Sequence, residues 1–178
     1  CALPFIATES SSHYCADCSR QPPNFSTVYA AGLYSGALQL ALQRFKYAGA
    51  IDLDQPLAKL LYAQLPTDID EHVIVPVPLH SSRLRQRGYN QSLLLARQLA
   101  HNLQIPLNQA ILQRVVDSHS QQGLDARQRA QNLRGAFMGT LRLDGRSVLL
   151  VDDVMTTGAT VSACTQALQD AGAKTVKI

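Results

Sequence analysis

The sequence predicts an α/β fold with a parallel sheet flanked by helices. A short β-branched run at residues 73–77 is followed by an amphipathic helix pattern, and a strand, a helix and a further strand follow one another between residues 147 and 178. Strands joined through helices lie parallel, because the crossover returns each strand in the same direction. The composition agrees with one folded domain, since 46% of the 178 residues are hydrophobic and only 16% are charged.

Apolar periodicity and cap signals predict the elements in order. Helical spacing predicts a first helix over residues 36–47, and Asp54-Gln55-Pro56 is the start signal of a second. The β-branched run predicts a buried strand, followed by a loop to Asn90, which caps a helix through about His101. Beyond it the patterns predict strands over 111–116, 147–151 and 175–178, a polar loop merging into a helix over 117–133, and a helix over 160–171 that ends at Gly172.

The domain organisation follows from a change in composition. Residues 1–27 hold three of the four cysteines and show no helical or alternating apolar pattern, which predicts a small, loop-rich unit. Residues 28–178 carry all the predicted strands and form the main domain.

The cysteines of the first unit indicate a metal site. Cys15 and Cys18 form a C-x-x-C pair, which in a reducing compartment is typical of metal or redox chemistry. A structural zinc site needs four ligands, and Cys1 supplies a third, so we expect a zinc unit that is truncated in this sequence. His13 as a fourth ligand is less favoured, and plain surface thiols are the alternative.

Net charge and hydropathy limit the classes of protein that fit this sequence. The net charge of +3 is too small to argue by itself for wholesale binding to a phosphate backbone. No apolar stretch approaches the roughly 20 residues that span a bilayer, and the first residues do not resemble a signal peptide. We therefore expect a cytoplasmic protein.

The segment from Val148 to Thr160 carries the clearest chemical signal. Its strand runs into Asp152 and Asp153 at the carboxyl end, where parallel sheets bind ligands and where carboxylates accept hydrogen bonds from sugar hydroxyls. The following turn suits a phosphate, because Gly158 allows close approach and a helix start presents unpaired N–H groups. Together they predict a ribose 5-phosphate ligand. The predicted binding residues are Asp152, Asp153, Val154, Met155, Thr156, Thr157, Gly158, Ala159 and Thr160, with Asp152 and Asp153 as the catalytic candidates.

This segment resembles, at every position, the motif by which type I phosphoribosyltransferases bind 5-phosphoribosyl 1-pyrophosphate (PRPP). Over nearly the whole chain the sequence is similar to the ComF family, which includes ComFC and GntX, through Phe45-Lys46-Tyr47, Val75-Pro76-Val77-Pro78-Leu79, Arg87-Gly88-Tyr89-Asn90-Gln91-Ser92 and Gly135-Ala136-Phe137. The resemblance implies a type I phosphoribosyltransferase-like fold that binds PRPP with Mg²⁺. It also implies a four-cysteine zinc ribbon, represented by Cys1, Cys15 and Cys18, and a role in DNA uptake for competence or in DNA utilisation.

A positive stretch lies between residues 79 and 116, which contain arginines but no Asp or Glu. Two interpretations use the same side chains. In the first, arginines hold the pyrophosphate of PRPP, because guanidinium binds phosphate bidentately. In the second, arginines and tyrosines form a groove for single-stranded DNA. The candidates are Arg83, Arg85, Arg87, Tyr89 and Lys46, with Tyr47 beside Lys46.

Two function classes follow from these observations. The first is an enzyme that binds PRPP and Mg²⁺ and transfers the phosphoribosyl group to an acceptor that no residue identifies. Gln122 and Arg127, in the polar segment 121–132, are candidates for a loop that closes over its site. The second is a non-catalytic module of DNA uptake that binds single-stranded DNA, uses the fold as a PRPP or nucleotide sensor, and docks other DNA-uptake proteins through the zinc unit. A regulatory, RNA-binding class is disfavoured by the modest net charge.

Overall fold

The computed structural model describes residues 15–116, 133 and 135–178. Within them the helices are α1 (Ala16–Arg20), α2 (Gly36–Tyr47), α3 (Asp54–Tyr62), α4 (Ser81–Arg87), α5 (Gln91–Leu103) and α6 (Ala159–Asp170), with a 3-10 turn at Ile51–Leu53. The strands are β1 (Val73–Pro76), β2 (Leu112–Arg114), β3 (Phe137–Gly139), β4 (Ser147–Val151) and β5 (Thr175–Lys177).

The main sheet is parallel and has the strand order β1-β4-β5. The central strand, β4, pairs along four residues with β1 and along three with β5. Single parallel bridges extend both edges, from Ile74 to Leu107 and from Lys177 to Thr27. The predicted fold class, a parallel sheet flanked by helices, is confirmed.

Both faces of β4 are buried, which explains its nearly continuous apolar sequence. Because side chains alternate along a strand, Val148 and Leu150 face a core shared with α6, β2 and β3. Leu149 and Val151 face a second core, to which α2, α3 and α5 contribute. This second core reaches the loop that follows β4, where Val154 packs against it, and Phe45 of α2 is fully buried in it.

β2 and β3 form a separate antiparallel pair that packs against α6. Gly139 permits this close packing, because a Cβ at this position would lie 2.6 Å from the Cβ of Ala171 and 2.9 Å from the carbonyl oxygen of Ala167. The strand predicted over residues 111–116 is shorter than expected, since Val115 and Val116 lie beyond its end and are exposed.

The continuous loop predicted between the first strand and Asn90 is wrong, because it contains α4. His80 caps this helix by accepting a hydrogen bond from the Ser82 amide, and Gly88 ends it at φ +83° in the left-handed region. α4 has no buried residue, so it lacks the apolar period from which the longer helices were predicted. Arg85 and Arg87 consequently lie in the last turn of a helix rather than in a loop.

The first segment contains a short helix, α1, although the sequence showed no helical period there. The chain reaches the main sheet within the predicted cysteine unit. The Ser26 amide donates to the Val176 carbonyl, and Phe25 is buried in the core shared with α6. The loop and helix predicted over 117–133 lie outside the described residues, apart from Leu133. Among the helices of the described ranges, none is both long and apolar enough to cross a membrane.

Candidate functional site

The loops after β1 and β4 form the candidate site at the carboxyl edge of the main sheet. Because the two strands are parallel neighbours, these loops leave the sheet side by side. The Val77 amide donates to the Val151 carbonyl at 2.9 Å, and the Asn90 side-chain amide donates to the Val77 carbonyl at 3.0 Å. Asn90 also caps α5 by accepting from the Ser92 amide. The start of α5 is therefore held beside the end of β4.

Asp152, the first residue after β4, is held by two donors. Its Oδ1 accepts from the Ser92 hydroxyl at 3.1 Å and from the Asp153 amide at 2.9 Å. Burial, and next the negative charge of Asp153, raise the pKa of Asp152 from 3.8 to about 7. The two hydrogen bonds and the nearby Lys46 ammonium oppose this rise, because they favour the ionised form. The side chain of Asp152 therefore changes between its protonated and its ionised form near neutral pH.

Asp153 forms an ion pair with Lys46, a residue in the last turn of α2. The Lys46 Nζ lies 2.9 Å from Oδ2 and 3.1 Å from Oδ1, so it contacts both carboxylate oxygens. The Lys46 side chain is 25% exposed and that of Asp153 only 9%, so water screens the pair incompletely. The sequence placed Lys46 among candidates for pyrophosphate or DNA, whereas the structure brings its ammonium to the acidic pair.

Tyr89 fastens the chain after α4 to the end of α2. Its hydroxyl donates to the Phe45 carbonyl, and the two rings lie 6.2 Å apart between centroids. The polar end of Tyr89 is therefore bound to the protein, although one side of the residue lines a cleft described below.

Arg87 lies over the exposed ring of Tyr47. The guanidinium carbon is 5.4 Å from the ring centroid, and Nη1 donates to Oε1 of the buried Gln91 at 2.7 Å. Tyr47 is 74% exposed, so this stacked pair lies at the surface. Of the other arginine candidates on α4, Arg83 is half-buried and Arg85 is exposed.

The turn after the acidic pair leads into α6. Gly158 is its N-cap at φ +77°, a left-handed conformation that glycine adopts without a Cβ penalty. The exposed Thr157 accepts from the Ala159 amide, and Thr156 beside it is also exposed. Amides in the first turn of a helix lack acceptors within it and carry the positive end of its dipole, so this end favours an anion. The remaining predicted residues are half-buried: Val154, Met155, Ala159 and Thr160.

Two clefts adjoin these loops. An apolar cavity of about 330 Å³ lies between the loop after β4 and residues 28–34, with leucines of α2, α3 and α5 in its wall. A second cleft, of about 450 Å³, lies between the loop after β1, α4, α5 and β2. Tyr89, Arg97 and Arg114 line this second cleft, and its described lining contains no Asp or Glu.

The cysteine pair lies at the start of α1. The Cys18 amide donates to the Cys15 sulfur at 3.5 Å. In the part of the chain that the structure describes, no three His, Cys, Asp or Glu side chains are grouped as they would be around a metal ion. Cys1, Gln122 and Arg127 lie outside the described residues, so their predicted roles stay predictions.

The sequence alone did not show which distant residues contact the acidic pair. Ser92 and Lys46 lie 60 and 107 residues away from the carboxylates that they contact. Ser92 has one local signal, since it follows the capping Asn90 at the start of a helix on the carboxyl edge.

A parallel sheet whose carboxyl edge carries an acidic pair and a glycine turn into a helix start is typical of a phosphoribosyltransferase-like domain. A family model described as phosphoribosyl transferase domain matches residues 90–178. Competence protein F of Haemophilus influenzae is 36% identical over 174 residues, covering 93% of this chain and 76% of that protein. DNA utilization protein YhgH of Salmonella typhimurium is 35% identical over 170 residues, covering 92% and 75%. The chain belongs to the ComF family of these proteins.

Two more distant similarities complete the comparison. Competence protein ComFC of Streptococcus pneumoniae is 27% identical over 148 residues, which cover 81% of this chain and 62% of that protein. Among solved structures, glutamine PRPP amidotransferase from B. subtilis, complexed with ADP and GMP, is 22% identical with a TM-score of 0.42. That match covers 71% of this chain and 24% of the amidotransferase.

Proposed function

We propose that the site binds PRPP together with Mg²⁺. The observation that carries this proposal is the order of groups at the end of the central strand: an acidic pair, then a turn through Gly158 into the start of α6. Asp152 and Asp153 suit the two ribose hydroxyls, and the helix start suits the 5-phosphate. The matching phosphoribosyl transferase family model supports the same ligand.

The chemistry of the donor set fits a magnesium ion. Mg²⁺ prefers hard oxygen ligands and is commonly bound by one or two carboxylates together with substrate phosphates. The two protein donors described for Asp152 both bind Oδ1, so Oδ2 is the oxygen offered to a ligand hydroxyl or a cation. Mg²⁺ bound with PRPP would neutralise part of the pyrophosphate charge.

The same arrangement suits phosphoribosyl transfer. In this reaction the bond from ribose C1 to the pyrophosphate oxygen breaks, and a bond from C1 to the acceptor forms. Positive charge develops on the ribose ring, and carboxylates at its hydroxyl edge stabilise that charge. Arg83, Arg85 and Arg87 of α4, which begins just after the β1 loop, are the candidates for holding the departing pyrophosphate.

Calorimetric titration with PRPP and Mg²⁺ tests the proposed ligand. We expect binding in the micromolar range. Asp152→Asn should weaken it at least tenfold, whereas the exposed Asp52→Asn should bind like the unmodified protein. Absence of binding at millimolar PRPP would refute the proposal. Pyrophosphate release in the presence of candidate acceptors then separates an enzyme, which releases it, from a sensor, which binds PRPP without turnover.

A second candidate function, binding of single-stranded DNA, is favoured by the cleft lined by Tyr89, Arg97 and Arg114. A cleft with arginines, an aromatic ring and no described carboxylate in its lining suits a nucleic acid backbone with stacked bases. The relatives named for competence and for DNA utilization support a role in DNA uptake or use.

Binding of a labelled oligonucleotide across a range of salt concentrations tests the cleft. Arg97→Ala should weaken binding and reduce the salt slope by about 1. The matched control is Arg142→Ala, because Arg142 is a 93% exposed arginine outside the cleft. Equal slopes for the two variants would exclude the cleft as the DNA site.

We also propose that the N-terminal cysteines hold a structural zinc ion, and that this unit docks other DNA-uptake proteins. The Cys18 amide lies 3.5 Å from the Cys15 sulfur, so the two residues of the C-x-x-C pair are close together, as ligands of one metal ion must be. Zinc content per chain is the measurement, and a four-ligand site binds about one ion. The double variant Cys15→Ser/Cys18→Ser should lose the ion. The variant Cys164→Ala, in the core shared with α6, β2 and β3, should retain it.

A further inference from the structure

Lys46 contacts a carboxylate that is part of the proposed ligand site. Its ammonium contacts both oxygens of Asp153, at 2.9 and 3.1 Å. If the Asp153 carboxylate binds ribose hydroxyls or a divalent cation, its contacts with the Lys46 ammonium must be weakened or lost. The acidic pair of the unliganded protein is therefore already neutralised in part by a side chain of α2.

Three contacts of the last turn of α2 involve residues that are proposed to bind ligands. Lys46 pairs with Asp153, and Arg87 stacks on Tyr47. The third contact, from the Tyr89 hydroxyl to the Phe45 carbonyl, fixes the backbone one residue before Lys46. Lys46 and Tyr47, the two residues that follow this fixed carbonyl, contact different parts of the site: Lys46 contacts the acidic pair, and Tyr47 contacts Arg87 of α4.

We propose that Lys46 acts as a latch: it holds Asp153 in the unliganded protein, and a ligand that enters the acidic pair displaces its ammonium. The displacement changes the stacking of Tyr47 with Arg87, so this surface pair responds to occupancy of the site. Lys46 is thus a positioning residue, and the inference rests on the proposed PRPP site.

The required energetic coupling comes from competition for one carboxylate. A ligand shifts a conformational equilibrium only by as much as its interactions differ between the two states. Here the difference is built in, because Asp153 is bound to Lys46 in one state and to the ligand in the other. A nearly buried carboxylate makes this competition stronger than it would be on a solvated surface, since water does not fully replace either partner.

A tryptophan reporter tests the latch, because the chain contains no tryptophan. In Tyr47→Trp the indole keeps the cation–π contact with Arg87, and its emission reports the end of α2. Titration with PRPP and Mg²⁺ should change this emission with the same midpoint as the calorimetric heat. Addition of Lys46→Met should abolish at least four fifths of the emission change, whereas addition of Lys59→Met, an exposed lysine of α3, should leave it intact.

The outcomes separate the latch from the ligand proposal. Binding heat without an emission change in Tyr47→Trp, or a full emission change that survives Lys46→Met, overturns the latch while PRPP binding stands. Absence of binding heat refutes the proposed ligand, and a ligand-independent experiment then decides the holding role of Lys46. In that experiment, Lys46→Met should accelerate amide hydrogen exchange of residues 46–48 at least fivefold over Lys59→Met, and equal exchange would overturn the latch.

Discussion

Replacement of Asp152 by asparagine should stabilise the unliganded protein, and the gain should grow with pH. Burial beside Asp153 raises the pKa of Asp152 from 3.8 to about 7. The folded protein therefore keeps this proton at pH values where the unfolded chain has released it. The contribution of Asp152 to stability is complete below pH 3.8 and is lost as the pH rises through about 7.

The size of the effect follows from the shift. At about 1.4 kcal/mol per pKa unit, the three-unit rise sets a limit of about 4 kcal/mol on the destabilisation at pH 8. At pH 5, where only the first part of this interval has been crossed, the same linkage amounts to about 1.5 kcal/mol. Asparagine retains an oxygen that accepts from Ser92 and from the Asp153 amide, but it never ionises. We expect the stability gain to be larger at pH 8 than at pH 5 by about 2.5 kcal/mol.

Urea unfolding of the unmodified protein and of Asp152→Asn at the two pH values measures this gain. The difference between the two proteins cancels groups that titrate elsewhere, and the exposed Asp52→Asn serves as the control. A gain that is equal at both pH values, or a loss that deepens with pH, would show that the folded protein keeps Asp152 ionised and would refute the reasoning. Asp152→Asn should bind PRPP more weakly than the unmodified protein although it is more stable. This result would show that the carboxylate of Asp152 lowers stability but strengthens ligand binding.

Three stability predictions test the fold around the site by urea unfolding. Gly139→Ala should lose about 1–3 kcal/mol, because its new Cβ meets the backbone and a side chain at the end of α6; an unchanged midpoint would mean that the pair β2–β3 moves away easily. Leu95→Ala, at a position 1% exposed, should lose about 2–5 kcal/mol, whereas Leu40→Ala, at a position 59% exposed, should change stability by less than about 0.5 kcal/mol. Tyr89→Phe should lose about 0.5–1.5 kcal/mol with its ring retained, since the Phe45 carbonyl loses its donor; full stability in this variant would contradict the fastening of α2 by Tyr89.

The parts of the site that lie within one continuous segment could be predicted from the sequence. Residues 147–170 form a buried strand, an acidic loop and a capped helix, and each of these has a local signal in residue type and period. The carboxyl-edge position of the acidic pair followed from parallel topology, which β4 and its neighbours confirm.

The contacts between distant segments could not be predicted in the same way. Periodicity indicates which face of α2 is apolar, but it does not specify which loop the polar Lys46 meets after the helix packs. The contact with Asp153 depends on how the second core positions α2 against the sheet. α4 escaped prediction for a different reason, because a seven-residue helix with no buried side chain presents no apolar stripe.

The parallel bridge between Thr27 and Lys177 joins residues 150 positions apart. The two segments can therefore pair only after the residues between them have been synthesised. Ser26 and Tyr29 donate to carbonyls of β5 and of the residue after it, so the segment that follows α1 has no sheet partner until β5 has been synthesised. Because chains emerge from the ribosome N-terminus first, residues 26–29 can make these contacts only after β5 has emerged. Sheet pairing of the segment that follows the cysteine pair therefore depends on a strand made about 150 residues later.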